Sequence, residues 1–223
     1  MTARKLILAI DGPAGAGKST VARHLAAHFG LLNLESGAMY RAFALKALAQ
    51  GIDPDNASDL TTLTEQTTIE LASTPTGNRV LLDGTEVTAQ LREPAVTQAA
   101  SRVSVHPAVR SWLVDLQRAM GREGGVVMEG RDIGTVVFPD ADLKFFLDAS
   151  PEARSQRRYL EAPATTTTSE ALKEELRQRD ERDRNRAESP LRPAADAIVI
   201  DSTELSLDEV LKKIEQIVEH HAR

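Results

Sequence analysis

The chain has 223 residues, 41% apolar and 27% charged, a composition that suits one α/β domain with an insertion or two small domains. Its 27 basic and 33 acidic side chains leave a net charge of −6, which argues against non-specific coating of DNA and requires any anion site to come from clustered arginines. There is no cysteine, so disulfides, a thiolate nucleophile and a zinc–thiolate centre are excluded.

Leu6 to Ile10 is a short β-prone run ending at Asp11-Gly12 and reads as a buried parallel strand. The opening MTARKLILAIDG is too short for a signal-peptide core, and no stretch approaches a membrane span, so a cytoplasmic protein with no membrane partner is expected. Val21, Leu25 and Phe29 recur four apart, which predicts a helix over 20–29 stopped by Gly30. Leu31 to Leu34 reads as a second strand and Met39 to Leu48 as a second helix closed by Gly51. This order predicts an α/β fold with a parallel sheet flanked by helices.

The pattern then changes. Thr68–Leu71, Arg79–Leu82 and Glu86–Val87 read as short strands, with turns at Thr76-Gly77-Asn78 and Asp83-Gly84, so a small antiparallel unit is inserted in the α/β core. Helical pattern resumes from Pro94 to Met120. Val126–Met128 and Leu143–Leu147 read as buried strands, 153–161 and 169–186 as two charged helices separated by a polar loop at 163–168. Ala197–Ile200 is the last strand and Leu207–Val218 an amphipathic last helix.

Gly12-Pro13-Ala14-Gly15-Ala16-Gly17-Lys18-Ser19, followed by Thr20, matches G-x-x-x-x-G-K-[ST] between a predicted strand and a predicted helix. Such glycines let backbone N–H groups converge on phosphate oxygens, and the helix N-terminus adds a positive field. Lys18 can reach the β- and γ-phosphates of a nucleoside triphosphate, and the Ser19 hydroxyl can ligate Mg²⁺. The bland alternative is a turn that packs a helix on a sheet. No N-K-x-D guanine signature and no G-x-G-x-x-G spacing is present, which weakens GTPase and dinucleotide readings.

A kinase acting on a phosphorylated acceptor must hold a second anion, and bidentate guanidinium–phosphate pairs do this with fixed geometry. Arg41 stands in Ser36-Gly37-Ala38-Met39-Tyr40-Arg41, and Arg131 follows a strand end in Glu129-Gly130-Arg131-Asp132. Arg179, Arg182, Asp183 and Arg186 share one helix face by their spacing. That stripe is equally readable as a solvated face of ion pairs, and Arg41 as a surface residue. Arg131-Asp132 lies where a parallel strand opens toward a ligand. Glu129 could hold Mg²⁺-bound water or cap a helix.

At these residues the sequence resembles the bacterial cytidylate kinases along nearly its whole length. The resemblance is carried by Ile10–Thr20, Ser36–Arg41, the run GRDIGTVVFPD from Gly130 to Asp140, Phe146–Ala149 and Arg179–Pro190. It implies a nucleoside monophosphate kinase fold with a core (1–62, 95–152 and 188–223), a monophosphate-binding insertion (about 63–94) and a lid (about 153–187). By matching position, Arg41, Arg131 and Arg186 would hold the acceptor phosphate, with Ser36 in support. Ser101, Arg110 and Asp132 would read cytosine, although Ser101 by itself is an ordinary helix residue. Arg179 and Asp183 would face the ribose, and Arg157 and Arg158 the donor triphosphate. A carboxylate at Asp132 suits the N4 amine of cytosine and opposes the oxygen at that position of uracil.

The implied reaction is Mg²⁺- and ATP-dependent phosphorylation of CMP, with dCMP, in pyrimidine nucleotide metabolism. Lys18, Arg131 and Arg186 would be catalytic, the chain would act as a monomer, and no nucleic acid would be bound. The rivals are a kinase for another acceptor, such as UMP or a sugar, and a P-loop switch that hydrolyses slowly.

Overall fold

The computed structural model describes residues 5–74, 77–161 and 169–221. Thr76 of the expected turn and the expected polar loop at 163–168 lie outside the described residues.

Five strands form a parallel sheet in the order β2 (Leu32–Glu35), β6 (Val126–Gly130), β1 (Ile7–Asp11), β7 (Leu143–Asp148), β8 (Ile198–Asp201). Both faces are covered, which explains the apolar runs Ile7–Ile10 of β1, Val126–Met128 of β6 and Phe145–Leu147 of β7. Leu8, Ile10, Phe145 and Leu147 pack with Val21 and Leu25 of α1 (Lys18–Phe29) and Ile214 and Val218 of α8 (Leu207–His221). Ala9, Val126 and Met128 meet Val114 of α5 (Pro107–Met120) on the other face. Phe145 is 1% exposed, and truncating so buried a ring to alanine costs about 3–5 kcal/mol. β1 sits between β6 and β7, so its carboxyl end is the switch point of the sheet, where such folds bind ligands.

α2 (Ser36–Ala49) begins directly at the end of β2, three residues earlier than the periodicity suggests. The inserted unit is a three-stranded antiparallel sheet of β3 (Ile69–Thr74), β4 (Gly77–Leu82) and β5 (Thr85–Glu86). It caps the free edge of β2. Asn78 Nδ2 donates to the Asn33 carbonyl at 2.7 Å, and the Glu35 amide donates to Asn78 Oδ1 at 2.7 Å. That edge is thereby closed to pairing with another chain.

Three features depart from the expectations. A helix, α3 (Ala57–Glu65), precedes the inserted sheet, and the boundary expected at residue 63 falls inside it. Asn56 caps it by accepting from the Asp59 amide at 3.2 Å. The helical pattern read over 94–120, which set no internal boundary, resolves into two helices, α4 (Pro94–Val103) and α5, because Pro107 occupies the first position of α5 and holds His106 extended. Finally, Ile133–Val137 after β6 forms one wide π-helical turn, a device common beside functional sites. Two charged helices, α6 (Pro151–Glu161) and α7 (Ser169–Asn185), pack on each other. Among the described residues no helix is long and apolar enough to cross a membrane.

Candidate active site

The glycine loop leaves β1 at Asp11 and enters α1 at Lys18. Gly12 has φ +146°, and a Cβ there would lie 2.0 Å from the Leu147 carbonyl oxygen, so only glycine lets the loop pass this close to β7. Asp11 fixes the other side of the turn. Its buried carboxylate accepts from the amides of Ile133 and Gly134 at 2.8 and 2.7 Å, which ties β1 to the π-helical turn. Burial pushes Asp11 up to about 7, although those two amides draw it down.

Lys18 is buried, and its Nζ donates to the Pro13 carbonyl at 2.7 Å. Burial and then the neighbouring charge of Arg131 lower it to about 7. The Ser19 hydroxyl donates to Glu129 Oε1 at 3.0 Å, and the Ser36 hydroxyl donates to the Glu129 carbonyl at 2.8 Å. The end of β6 thus meets both α1 and the start of α2. A Cβ at Gly130 would lie 2.6 Å from Ser36 Oγ, which explains a glycine between Glu129 and Arg131.

A cleft of about 180 Å³ opens beside this loop. Its walls include Lys18, Ser19, Ser36, Arg41, Ser101, Arg110, Glu129, Arg131, Asp132, Arg158, Arg179, Asp183 and Arg186. Residues far apart in sequence therefore converge: α2, α4, α5, the β6 end and α7 each contribute. Seven of the wall residues are basic and three acidic, in a chain whose net charge is negative.

At one end of the cleft Arg110 forms a buried ion pair with Asp132 and also donates to the Ser104 carbonyl at 3.0 Å. Its guanidinium carbon stands 5.7 Å from the Tyr40 ring centre, within cation–π range. Ser101 Oγ is buried here without a partner. Towards α7, Arg131 Nε donates to Asp183 Oδ2 at 2.9 Å, and Arg186 Nη1 stands 3.8 Å from Asp183 Oδ1. Arg186 Nε and Nη2 are buried and unpartnered.

The charge balance divides the cations in two. Burial pulls Arg110 and Arg131 down, but Tyr40 and Asp132 beside the first, and Asp183 and Glu129 beside the second, outweigh it and the net shift is upward. Burial lowers Arg41 and Arg186, and with the nearby Arg131 it brings Arg179 down to about 10. The second set is short of negative charge.

The two arginines expected to face a triphosphate part company. Arg158 lines the cleft. Arg157 turns to the far side of α6, where its Nη1 donates to Ser202 Oγ at 3.0 Å and Nη2 to the Ser202 carbonyl, so it braces β8. The family resemblance named them together, but adjacent residues on a helix point about 100° apart. A neighbour takes the inward position. Arg154 is 2% exposed; it donates to the carbonyls of Ala149 and Ala14 at 2.9 and 3.0 Å and pairs with Asp180 at 2.6 Å. It joins the glycine loop to α7. A second cavity of about 640 Å³ adjoins it, walled by Asp148, Arg154, Asp180, Asp201 and Thr203 among others. Sequence reasoning missed Arg154, Tyr40 and Asp11. Arg154 stands three residues before Arg157, so only the helix's orientation, absent from the pattern, would have selected it.

A phosphate loop at the switch point of a parallel sheet, with a cationic cleft on one side and a second cavity on the other, defines a P-loop phosphotransferase with room for two ligands. The comparisons with known proteins agree. The cytidylate kinase family model matches residues 8–220, and the chain belongs to that family of nucleoside monophosphate kinases. It is 51% identical over 210 residues to the cytidylate kinase of Pelotomaculum thermopropionicum, covering 93% of each chain. With the cytidylate kinase of Symbiobacterium thermophilum it shares 48% over 223 residues, covering 99% of this chain and 97% of that one. A bifunctional pantoate ligase/cytidylate kinase of Synechococcus sp. (strain JA-3-3Ab) is 53% identical over 216 residues, and there the match spans only 40% of the relative's length. A solved shikimate kinase from Bacteroides thetaiotaomicron superposes with a TM-score of 0.51 at 12% identity, covering 96% of this chain and 98% of that one, which bears on the fold alone.

Proposed function

We propose that the protein transfers the γ-phosphoryl group of ATP to the phosphate of CMP, and of dCMP, giving the diphosphate and ADP. The observation that carries this reading is a set of buried polar atoms without partners inside one cleft: Ser101 Oγ, Arg110 Nε, and Nε and Nη2 of Arg186. Leaving such groups unpaired costs about 1–3 kcal/mol each, so they are explained by a ligand that completes them. A cytidine monophosphate has the matching parts. Its phosphate answers Arg41, Arg131 and Arg186, its ribose Arg179 and Asp183, and its base Ser101, Arg110 and Asp132.

The glycine loop holds the donor's phosphates, and the cavity beside Arg154 takes its base and ribose. Ser19 and Glu129 form an all-oxygen pair of the kind Mg²⁺ takes, through one or two protein ligands plus water. Ser19 would hold the ion directly and Glu129 through water; when bound, it neutralises charge on the β- and γ-phosphates. The attacking acceptor oxygen is already anionic, so no protein base is needed. Lys18 and the arginines position both phosphates and stabilise the charge of the transferring group. At about 180 Å³ the cleft is smaller than the roughly 300–1,000 Å³ usual for small-molecule sites. Substrates therefore enter with α6 and α7 displaced, and closure excludes water that would otherwise take the phosphoryl group.

The test is ATP consumption with Mg²⁺ against CMP, dCMP, UMP, AMP and GMP. CMP and dCMP should be the preferred acceptors. Equal turnover with UMP would overturn the base assignment, and phosphate release without an acceptor would favour a hydrolytic switch.

A further inference from the structure

We propose a divalent transition-metal site, fitted to Zn²⁺, between the first and last helices, formed by His24, His28 and Glu215 with Glu219 at its rim. Among the described residues this is the one group of three or more His, Cys, Asp or Glu side chains whose ligand atoms gather within 4.8 Å of one another. His24 and His28 stand four apart on α1, so their rings share one flank and stack with centres 6.0 Å apart. Glu215 and Glu219 stand four apart on α8 and face them. His24 Nε2 is 2.5 Å and His28 Nδ1 3.4 Å from the same oxygen, Oε1 of Glu215, and His28 Nε2 is 3.9 Å from Glu219 Oε1.

Zinc bonds to nitrogen and carboxylate oxygen at about 2.0–2.2 Å, so tetrahedral ligand atoms lie about 3.3 Å apart. The donor atoms of His24, His28 and Glu215 gather within 4.8 Å of one another, close to that spacing. The backbone beneath is rigid, because Val21, Leu25, Ile214 and Val218 of the two helices share one buried core. Two imidazoles and a carboxylate leave a fourth position for water, as in zinc sites that stay open, and Glu219 faces the other ring nitrogen of His28 as an outer partner. The ligand chemistry also selects the ion. Imidazole suits Zn²⁺, Ni²⁺ and Cu²⁺, whereas Mg²⁺ and Ca²⁺ favour oxygen. The site lies on the helix that begins at Lys18 but at the opposite end, away from the glycine loop. An ion there would clamp the nucleotide-binding helix to the carboxyl-terminal helix.

The experiment titrates ZnCl₂ into chelator-treated full-length protein by calorimetry, with excess Mg²⁺ and no nucleotide. The expected result is one saturable zinc per chain, a raised melting temperature, and nitrogen and oxygen neighbours at about 2.0–2.2 Å by X-ray absorption. His24→Ala and His28→Ala should each weaken binding about 100-fold or more, beyond the 10–100-fold typical of losing an outer-shell partner. Glu215→Gln should weaken it as well, with circular dichroism confirming that each variant is folded. His220→Ala and His221→Ala, near the chain's end, should leave binding unchanged. Absence of saturable zinc binding would overturn the proposal and leave an ion-paired clasp between the helices. Binding that survives the His24 and His28 substitutions, or that follows His220 or His221, would overturn it equally.

Discussion

Asp132→Asn separates the ion pair that the structure shows from the base contact proposed for the same carboxylate. Asp132 pairs with Arg110 where both side chains are nearly inaccessible, 7% and 3% exposed. Removing one partner of a buried ion pair costs about 3–5 kcal/mol, and asparagine keeps an acceptor for the guanidinium, so the lower end applies. For a chain of this size each kcal/mol moves the melting temperature by about 2–4 °C, so the unliganded variant should melt about 6–12 °C lower. The kinetic effect is distinct. If Asp132 also accepts from the N4 amine, replacing that charge-assisted hydrogen bond should cost CMP about 1.5–3 kcal/mol, or roughly 10- to 150-fold in kcat/KM. UMP should lose little or improve, because the carboxylate that opposes its ring oxygen is gone. The assay is steady-state kcat/KM for CMP and UMP at 25 °C, below the melt of both proteins, with a melting curve for each. A variant that melts lower yet keeps the parental CMP/UMP ratio would refute the base contact and leave Asp132 as the counter-ion of Arg110 alone.

Lys18→Met should keep the fold and lose phosphoryl transfer by orders of magnitude; near-normal turnover in the folded variant would sink the glycine-loop assignment. Lys18 itself, lowered to about 7, gives a proton signal. Between about pH 7 and its ordinary value the unfolded chain holds this proton and the free folded chain does not, so its contribution to stability rises with pH there. Burial, Arg131 and Arg179 oppose the charge while Glu129 and Asp11 favour it; an incoming triphosphate tips that balance and restores the charge, so ATP binding at pH 8 should take up protons. Calorimetry in buffers of differing ionisation enthalpy should show that uptake in the parent and lose it in Lys18→Met. Arg186→Ala should cost about 2–5 kcal/mol in kcat/KM, because it strands a desolvated phosphate, while Asp183→Ala should raise the KM for CMP and penalise CMP and dCMP unequally. Parental kinetics in both would return the α7 stripe to a solvated face. Hydrogen exchange across α6 and α7 should slow when ATP and CMP are both present; no change would exclude closure by these helices.

The parallel core was legible because β1, β6 and β7 are buried on both faces and so carry short apolar runs, Ile7–Ile10, Val126–Met128 and Phe145–Leu147, the first beside a glycine motif. α3 was not, since its nine residues offer only Leu60 and Leu63 as deeply buried apolar anchors. The break between α4 and α5 was visible in principle at Pro107, but continuous amphipathic spacing on either side masked it. Within the site, the spacing of Arg179, Asp183 and Arg186 gave a common face without saying whether water or substrate covers it. The structure supplies the burial: Asp183 and Arg186 are 4% and 9% exposed. For Arg154, Arg157 and Arg158 the pattern was ambiguous, because the rotation of α6 about its axis decides which arginine turns inward.

That rotation matters for how a chain of net charge −6 sustains a cationic cleft. Arg110, Arg131 and Arg154 each hold a carboxylate at hydrogen-bonding distance, Asp132, Asp183 and Asp180. These arginines are already paired in this structure, and two of the three carboxylates belong to α7. Arg41 and Arg186 have their carboxylates at 3.9 and 3.8 Å, too far for a hydrogen bond. Lys18, Arg179, Arg41 and Arg186 are all shifted down, which means that the folded chain bears their charge at a cost. On the proposed function bound phosphates remove that cost, and α7 carries Asp180 and Asp183 of the paired set and Arg179 of the unpaired one, with Arg186 directly after its last residue. Phosphate binding and the seating of α7 on the core therefore draw on the same interactions. An acceptor phosphate that satisfies Arg186 favours the position of α7 that keeps Asp183 on Arg131 and Asp180 on Arg154, and through Arg154 it reaches the Ala14 carbonyl of the glycine loop. On the proposed function, this chain of contacts would couple occupation of the acceptor site to the geometry of the donor's phosphate loop.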